Sequence, residues 1–280
     1  MLYKIEHVTQ YSFSKEVFLE PHTIRLCPRS DSAQTVQKFE IDVTPEPKGR
    51  TNLVDIGGDS MSLWFEELTD SLTIISRSEV ETHRSNPFDF LLSSDRVHLL
   101  PMEYSGPDES VLDPYRMPSS GFGDKFEGFV AKTLLESKNS TLNFLSVLTS
   151  YINRNFEHEV REVGLSHEPG ETLSQMKGSC RDFVVLFAEV CRSMGIASRF
   201  VSGYTVGDPE NSENYLHAWA EVYLPGGGWR GYDPTLGLAV ADRHVALTSS
   251  ATPMQAAPVS GSFRGTDAEA KMEYQITITV

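Results

Sequence analysis

The change of hydrophobic period that follows Gly178 is the feature that most constrains the fold of this chain. From Cys180, apolar residues recur at helical spacing as far as Gly195, and glycine commonly ends helices. Three segments with strand character follow, at residues 198–204, 217–224 and 229–232. A turn with three glycines joins the last two segments, so we expect them to pair antiparallel. The pattern predicts a helix followed by an antiparallel sheet.

The first part of the chain shows short strands separated by turn residues instead. Residues 39–43, for example, alternate between apolar and polar side chains, and Pro45 and Pro47 close the segment. Short strands with such turn residues between them are typical of an antiparallel sandwich or barrel-like domain. We therefore assign residues 1–83 to an N-terminal β-rich domain.

The remaining chain divides into a connector, a core and a final strand. Residues 84–124 contain five prolines and no long hydrophobic period, so we interpret them as a connector with short helices near residues 88–92 and 110–115. Helical periodicity then begins, and we assign residues 125–265 to the core that contains the helix and sheet described above. Residues 266–280 end in an alternating pattern and are predicted to form a C-terminal strand.

The charge balance narrows the classes of partner and the expected location. Lys and Arg number 24 against 39 Asp and Glu, which gives a formal net charge of -15. Nucleic acids and anionic membrane surfaces are bound by cationic side chains, so we expect neither partner. Three cysteines do not make a disulfide framework, and no segment approaches the roughly 20 apolar residues of a membrane span. Residues 1–7 include an early Glu and do not resemble a signal peptide, so we expect a cytoplasmic location.

Cys180 is the candidate nucleophile because of its position at the start of a helix. The first N–H groups of a helix lack internal partners and carry partial positive charge, which favours a thiolate over a thiol. The same N–H groups can bind the oxyanion that forms when a thiolate attacks an amide carbonyl. The alternative for a single cysteine is a buried, unreactive side chain. We interpret Cys191, on the apolar side of the same helix, in that way.

His217 and Asp233 are the candidate partners of this thiol. A nucleophilic thiol needs a base, and the base needs a group that orients it. His217 begins one strand of the predicted hairpin and Asp233 ends the other, so antiparallel pairing brings an imidazole beside a carboxylate. A structural interpretation also stays open for each residue: a core or surface histidine for His217, and an Asp-Pro turn for Asp233.

Four segments in this order resemble the core of bacterial transglutaminase-like proteins. They read Gly-Ser-Cys-Arg-Asp-Phe from residue 178, Gly-Ile-Ala-Ser-Arg-Phe-Val-Ser-Gly-Tyr from 195, His-Ala-Trp-Ala-Glu-Val from 217 and Trp-Arg-Gly-Tyr-Asp-Pro-Thr from 229. The resemblance covers residues 142–238, and Tyr11 and residues 21–26 resemble the β-rich region that precedes this core. It implies a papain-like α+β core, with the Cys-bearing helix packed on an antiparallel sheet, preceded by an antiparallel β-sandwich-like domain.

Carried over to this sequence, the resemblance implies a catalytic triad in which Cys180 is the nucleophile, His217 the base and Asp233 the orienting acid. The implied reaction is acyl transfer from an amide bond of a protein or peptide substrate through a thioester, by a cysteine protease or amidase or by a transglutaminase. We favour hydrolysis because water is always present and the sequence shows no dedicated amine site. Tyr204 and Trp219 are candidate substrate contacts, although aromatic strand residues usually pack in a core.

Other motifs do not indicate a cofactor. The chain has no His-Glu-x-x-His or Cys-x-x-Cys motif for zinc, no glycine-rich phosphate loop and no Asp-rich calcium loop, so we expect neither metal nor cofactor. Two alternative functions stay open. The fold could be a non-catalytic scaffold that binds a protein or peptide, because residues 248–253 lack the Gly-Arg-Asp-Tyr-type segment usual in such proteins. Cys180 could instead be a reversibly oxidised redox sensor. The sequence predicts no oligomeric state.

Overall fold

The structure is a computed structural model of the 280-residue chain. It describes residues 1–55, 57–119, 122–161, 164–206 and 215–280. The strands are β1 (Leu2–Leu19), β2 (His22–Ile24), β3 (Gln34–Thr44), β4 (Gly49–Asp55), β5 (Gly58–Trp64), β6 (Leu68–Thr82), β7 (Glu157–His158), β8 (Lys177–Gly178), β9 (Ser198–Thr205), β10 (Leu216–Leu224), β11 (Gly228–Asp233), β12 (Leu238–Ala239), β13 (His244–Ser250), β14 (Val259–Ser260), β15 (Phe263–Arg264) and β16 (Ala270–Thr279). The helices are α1 (Pro107–Arg116), α2 (Asp124–Glu136), α3 (Thr141–Asn155), α4 (Pro169–Gln175) and α5 (Cys180–Ser193).

The N-terminal region is built from two antiparallel sheets. In the first sheet, β1 lies between β6 on one side and β15 and β16 on the other, and β3 follows β6 at the edge. The second sheet has the order β14-β2-β5-β4. Side chains of both sheets share one core, in which Tyr3, Leu19, Leu63 and Ile74 are buried. This arrangement confirms the predicted antiparallel β-rich region ahead of the core.

The C-terminal part of the chain returns to these N-terminal sheets. The predicted C-terminal strand is present as β16, which pairs with β1 from Lys4 opposite Thr279 to Phe13 opposite Ala270. β14 and β15 lie within residues 125–265, yet they pair with β2 and β1. The proposed division of the chain at residue 265 stays a prediction.

The connector contains one of the two short helices predicted for it. α1 covers the helix expected near residues 110–115. The prediction of a helix near residues 88–92 is wrong, because this stretch forms a turn followed by irregular backbone. The side chain of Asn86 accepts a hydrogen bond from the Phe88 N–H and so closes a turn around Pro87. Such a turn competes with the start of a helix at this point.

The core packs helices on a five-stranded antiparallel sheet of order β12-β11-β10-β9-β13. Phe183 and Phe187 of α5 belong to the same buried cluster as Ala220 and Val222 of β10, so the Cys-bearing helix lies on the sheet as predicted. α5 ends just before Gly195, whose φ of 75° lies in the left-handed region. A Cβ there would stand 2.3 Å from a backbone oxygen, so glycine is required. With helices packed on antiparallel sheets, the chain is α+β.

A buried charge cluster joins the two regions. Nη2 of Arg29, which follows β2, donates to Oε1 of Glu221 on β10 at 2.7 Å, and Nε of Arg199 on β9 donates to Oε2 at 2.8 Å. Burial alone would raise the pKa of Glu221, but the two guanidinium groups lower it to about 2.

Among the described residues, no helix has the length and apolar character needed to cross a membrane.

Candidate active site

Cys180 is the first residue of α5, and a local hydrogen-bond arrangement fixes that position. Oδ2 of Asp182 accepts hydrogen bonds from the N–H of Ser179 at 2.7 Å and from its hydroxyl at 2.8 Å, which is a capping arrangement at the helix start. A Cβ at Gly178 would lie 2.9 Å from Cβ of Asp182, so glycine lets the chain approach the helix. Cys180 is half-buried, and most of the helix that it begins is buried.

The second oxygen of Asp182 ties a neighbouring loop to the same helix start. Oδ1 accepts hydrogen bonds at 2.7 Å from Nη2 of Arg161 and from the backbone N–H of His167. Burial would raise the pKa of Asp182, and hydrogen bonds from His167 and Ser179 lower it below its ordinary value. Asp182 therefore remains ionised and holds the loop and the helix start together.

His217 and Asp233 meet as the predicted hairpin requires. β10 and β11 pair antiparallel with Ala220 opposite Tyr232, which brings the start of β10 beside the end of β11. Nε2 of His217 donates to Oδ2 of Asp233 at 2.7 Å, and both side chains are fully buried. Oδ1 of Asp233 accepts the backbone N–H groups of Thr235 at 2.9 Å and Leu236 at 3.0 Å, so the carboxylate cannot rotate freely.

The other ring nitrogen of His217 is available to the thiol. Nδ1 makes no hydrogen bond to a described residue, and the nearby Cys180 sulfur favours the charged form of the ring. Burial would lower the pKa of His217, but Asp233, followed by Cys180, raises it to about 10. Contacts of this kind are often long before substrate binds and shorten in the complex.

The same interactions change the acidity of Cys180. Burial alone would raise the pKa of the thiol, but hydrogen bonding and charge from His158 and His217 lower it to about 6. At neutral pH the pair is therefore a thiolate beside an imidazolium. This is the protonation state in which a cysteine attacks a carbonyl and the imidazole can protonate a leaving group.

His158 was not predicted from the sequence, and it is the second imidazole that lowers the pKa of the Cys180 thiol. It lies on β7, which pairs in parallel with β8 so that His158 is opposite Gly178, two residues before the cysteine. Its ring centroid is 6.0 Å from that of Phe183, in the first turn of α5. The side chain is exposed, whereas that of His217 is buried.

His244 was also not predicted, and it is a second imidazole on Asp233. Its Nε2 donates to Oδ2 of Asp233 at 3.0 Å, the same oxygen that His217 contacts. Its ring meets that of Trp219 edge-on, with centroids 5.0 Å apart. The signal that could have indicated it is the apolar run 245–247 that directly follows it in β13.

The two aromatic residues predicted as substrate contacts are both buried. Tyr204 is 1% exposed, its hydroxyl hydrogen-bonds Nδ1 of His7 at 3.0 Å, and it packs in the core of the N-terminal sheets. Trp219 is also 1% exposed and stacks on His217 with ring centroids 6.4 Å apart. Trp219 thus supports the imidazole, and in this arrangement neither residue presents a surface to a substrate.

One group of side chains has donor atoms spaced for a metal ion. Among the residues that the structure describes, His217, Asp233 and His244 each offer one such atom, all within 4.8 Å of one another. The hydrogen bonds from both imidazoles to the carboxylate account for this arrangement, and we assign no metal to it.

Two family models and several relatives match this chain. Residues 129–234 match the family model of the transglutaminase-like superfamily, and residues 3–81 match that of the bacterial transglutaminase-like N-terminal region. An uncharacterised protein of Mycobacterium leprae is 25% identical over 287 residues, which cover 94% of this chain and 93% of that protein. An uncharacterised protein of Mycobacterium tuberculosis strain H37Rv is 28% identical over 265 residues, covering 88% and 82% respectively.

A solved structure shows the same fold along nearly the whole chain. It is described as that of "a Putative Cysteine Protease from Cytophaga hutchinsonii" and is 20% identical in sequence. The match covers 99% of this chain and 90% of that one, with a TM-score of 0.74. Together with the two family models, it confirms the resemblance and the fold class expected from the sequence.

Proposed function

We propose that this chain, which belongs to the transglutaminase-like superfamily, is a cysteine-nucleophile enzyme that transfers acyl groups from amide bonds of a protein or peptide. The observation that carries the proposal is the buried 2.7 Å contact between His217 and Asp233, with the Cys180 thiol at the start of α5 beside the same imidazole. A thiol, an imidazole and a carboxylate in this order are the parts of an activated nucleophile.

The first half of the reaction makes a thioester. The Cys180 thiolate attacks the amide carbonyl carbon, a C–S bond forms, and the oxygen takes up negative charge near the first N–H groups of α5. His217 then donates its Nδ1 proton to the amide nitrogen as the C–N bond breaks, and the amine leaves. Asp233 holds the ring and stabilises its charged form.

The second half releases the acyl group. When water attacks the thioester carbon, the now neutral His217 takes up one water proton, the C–S bond breaks and its electron pair returns to the sulfur. The products are a carboxylic acid and the free enzyme with its thiolate and imidazolium restored. When a primary amine attacks in place of water, the product is a new amide. We favour hydrolysis, by a protease or amidase, because water is always available and Cys180 is only partly buried.

The rate of Cys180 alkylation by iodoacetamide, from about pH 5 to about pH 10, tests the nucleophile. Burial raises the pKa of Cys27 to about 11 and that of Cys191 well above its ordinary value, so Cys180 is the thiol expected to react first. In the wild type we expect the rate to rise through a pH of about 6. In His217→Gln the midpoint should move towards the ordinary value of about 8.5, and Cys180→Ala gives the background.

The reaction itself is tested with a peptide panel analysed by mass spectrometry, scored for backbone cleavage, glutamine deamidation and incorporation of an added primary amine. Cleavage or deamidation that is lost in Cys180→Ala supports hydrolysis, and amine incorporation would assign transglutamination. If Cys180 reacts like an ordinary thiol in every variant and no peptide changes, the enzyme proposal is wrong. The non-catalytic scaffold would then replace it.

A further inference from the structure

We propose that His244 is a positioning residue for the reaction, which acts through Asp233 and weakens the hold of this carboxylate on the charged imidazole of His217. This inference rests on the proposed function, because it assigns a further residue to the arrangement of Cys180, His217 and Asp233. It predicts a shift of the opposite sign to that of a loosened site, so the two roles are distinguishable.

The carboxylate of Asp233 has its acceptor positions filled. Oδ2 accepts hydrogen bonds from Nε2 of His217 at 2.7 Å and from Nε2 of His244 at 3.0 Å. Oδ1 accepts the backbone N–H groups of Thr235 at 2.9 Å and Leu236 at 3.0 Å. An ionised carboxylate only accepts hydrogen bonds, so both imidazoles carry a proton on Nε2. It offers about four lone-pair sites, and four donors leave none to take the proton of His217.

His244 is held in the orientation that this contact needs. It begins β13 and lies opposite Thr205 of β9, and its side chain is only 2% exposed. Its ring meets that of Trp219 edge-on, at an interplanar angle of 78°. Trp219 in turn stacks on His217, with ring planes 28° apart. One indole therefore packs against both imidazoles, and neither can turn away from the carboxylate without displacing it.

Sharing one oxygen between two imidazoles has an electrostatic consequence. Burial would raise the pKa of Asp233, but charge and hydrogen bonding from His217, and then from His244, lower it. A donor that stabilises the carboxylate reduces the negative charge that the other donors meet. The His244 N–H therefore makes the imidazolium of His217, whose pKa is about 10, less stable than a carboxylate reserved for it would. An imidazolium that releases its proton more readily is the better acid for the leaving amine.

The acidity of Cys180 reports this effect. The groups that act on one another at this centre are Cys180 on α5, His158 on β7, His217 on β10, Asp233 on β11 and His244 on β13. The ring of Tyr215, just before β10, also meets that of His217 edge-on, with centroids 6.0 Å apart. Cys180 and His217 ionise as a pair, so a change that stabilises the imidazolium also stabilises the thiolate. Removal of His244 should therefore lower the pKa of Cys180.

The test is the rate of Cys180 alkylation by iodoacetamide across pH in variants of His244. His244→Phe and His244→Leu lack the donor, and two side chains of different size are used so that poor packing of one does not decide the result. The midpoint, about 6 in the wild type, should fall by about half a pH unit in both, less than the roughly 1–3 units that a full neighbouring charge produces. His244→Gln keeps an N–H donor and should stay nearer the wild type.

Two further proteins control the measurement. In the Asp233→Asn background, His244→Phe should give no further fall of the midpoint, because the charge through which His244 acts is absent. His22→Phe replaces another buried histidine, in the N-terminal region, and should leave the midpoint unchanged. Urea unfolding identifies the variants that are folded.

The outcomes distinguish this inference from the function on which it rests. If a folded variant without the donor keeps the wild-type midpoint, the inference is wrong while the nucleophile stands. A midpoint that rises, as expected for Asp233→Asn, would mean that His244 only holds the site together, and it refutes the inference too. So does a fall in His244→Gln as large as that in His244→Phe. If the wild-type thiol ionises near the ordinary value of about 8.5, the proposed function fails and this inference fails with it.

Discussion

Replacement of Asp233 by Asn tests whether the carboxylate controls the nucleophile through His217. The buried Asp233 accepts four hydrogen bonds, two from imidazoles and two from backbone N–H groups. An Asn side chain keeps the size and one acceptor oxygen, but it loses the negative charge and turns an NH2 group towards one set of donors. The charged form of His217 then loses its stabilising partner. Burial, whose effect Asp233 offsets in the wild type, then lowers the pKa of this histidine.

The expected magnitude follows from the acidity of Cys180. With a pKa of about 6, about nine tenths of the thiol is ionised at pH 7, against about three hundredths for an ordinary thiol with a pKa of about 8.5. Without a charged His217, the thiolate keeps only its interaction with His158. The alkylation rate at pH 7 should therefore fall by at least about 10-fold, and by about 30-fold if the thiol returns to an ordinary pKa.

The assay is the iodoacetamide rate of Asp233→Asn across pH, with unfolding by urea as a check that the variant is folded. Asp267→Asn is the matched control, because Asp267 is exposed and has a φ of 54°, a conformation that Asn tolerates. The reasoning is refuted if folded Asp233→Asn keeps the wild-type midpoint near pH 6. Such a result would mean that His158 alone, or the helix start, sets the acidity of the thiol.

Two further predictions concern buried polar groups. In urea unfolding, His244→Phe should lower the free energy of unfolding by about 2 kcal/mol, because one donor to a buried carboxylate is lost. His244→Asn should recover part of this loss. Equal losses in both variants would contradict a hydrogen-bonding role. Glu221→Gln should cost about 3–5 kcal/mol at pH 7, because Arg29 and Arg199 stay buried without their anion. The Glu221 pKa falls from 4.5 to about 2 on folding, so its contribution to stability is present above pH 4.5 and is lost as the pH falls towards 2. The difference in free energy of unfolding between wild type and variant should shrink over that interval. Parallel pH profiles of the two proteins would contradict this.

The residues that the sequence identified share a simple local signal. Cys180 comes two residues after Gly178, at a clear change to helical period. His217 and Asp233 lie at opposite ends of two strands with an evident turn between them. Each of these relations involves near neighbours in the chain, or strands joined by a short turn. A hairpin converts such spacing into contact, so the geometry of the pair could be anticipated.

The residues that were missed depend on contacts that no short-range pattern encodes. His158 lies on a two-residue strand whose partner, Gly178, follows twenty residues later in a parallel arrangement. His244 reaches Asp233 from β13, which enters the sheet beside β9 and not beside the strand before it in the chain. Tyr204 shows a related limit, because strand alternation does not reveal that its end of β9 packs in the core of the N-terminal sheets.

The pairing of β1 with β16 has a consequence for the order in which the chain can fold. Residues 4–13 are synthesised long before residues 270–279, with which one edge of this strand pairs. A contact over so large a sequence separation forms slowly, since the loop between the strands must first be closed. During synthesis β1 would expose an unpaired edge, a surface that other strands can join. Efficient production should therefore depend on early compaction of β1, β6 and β3, which are close enough in the chain to pair without the C-terminal strand.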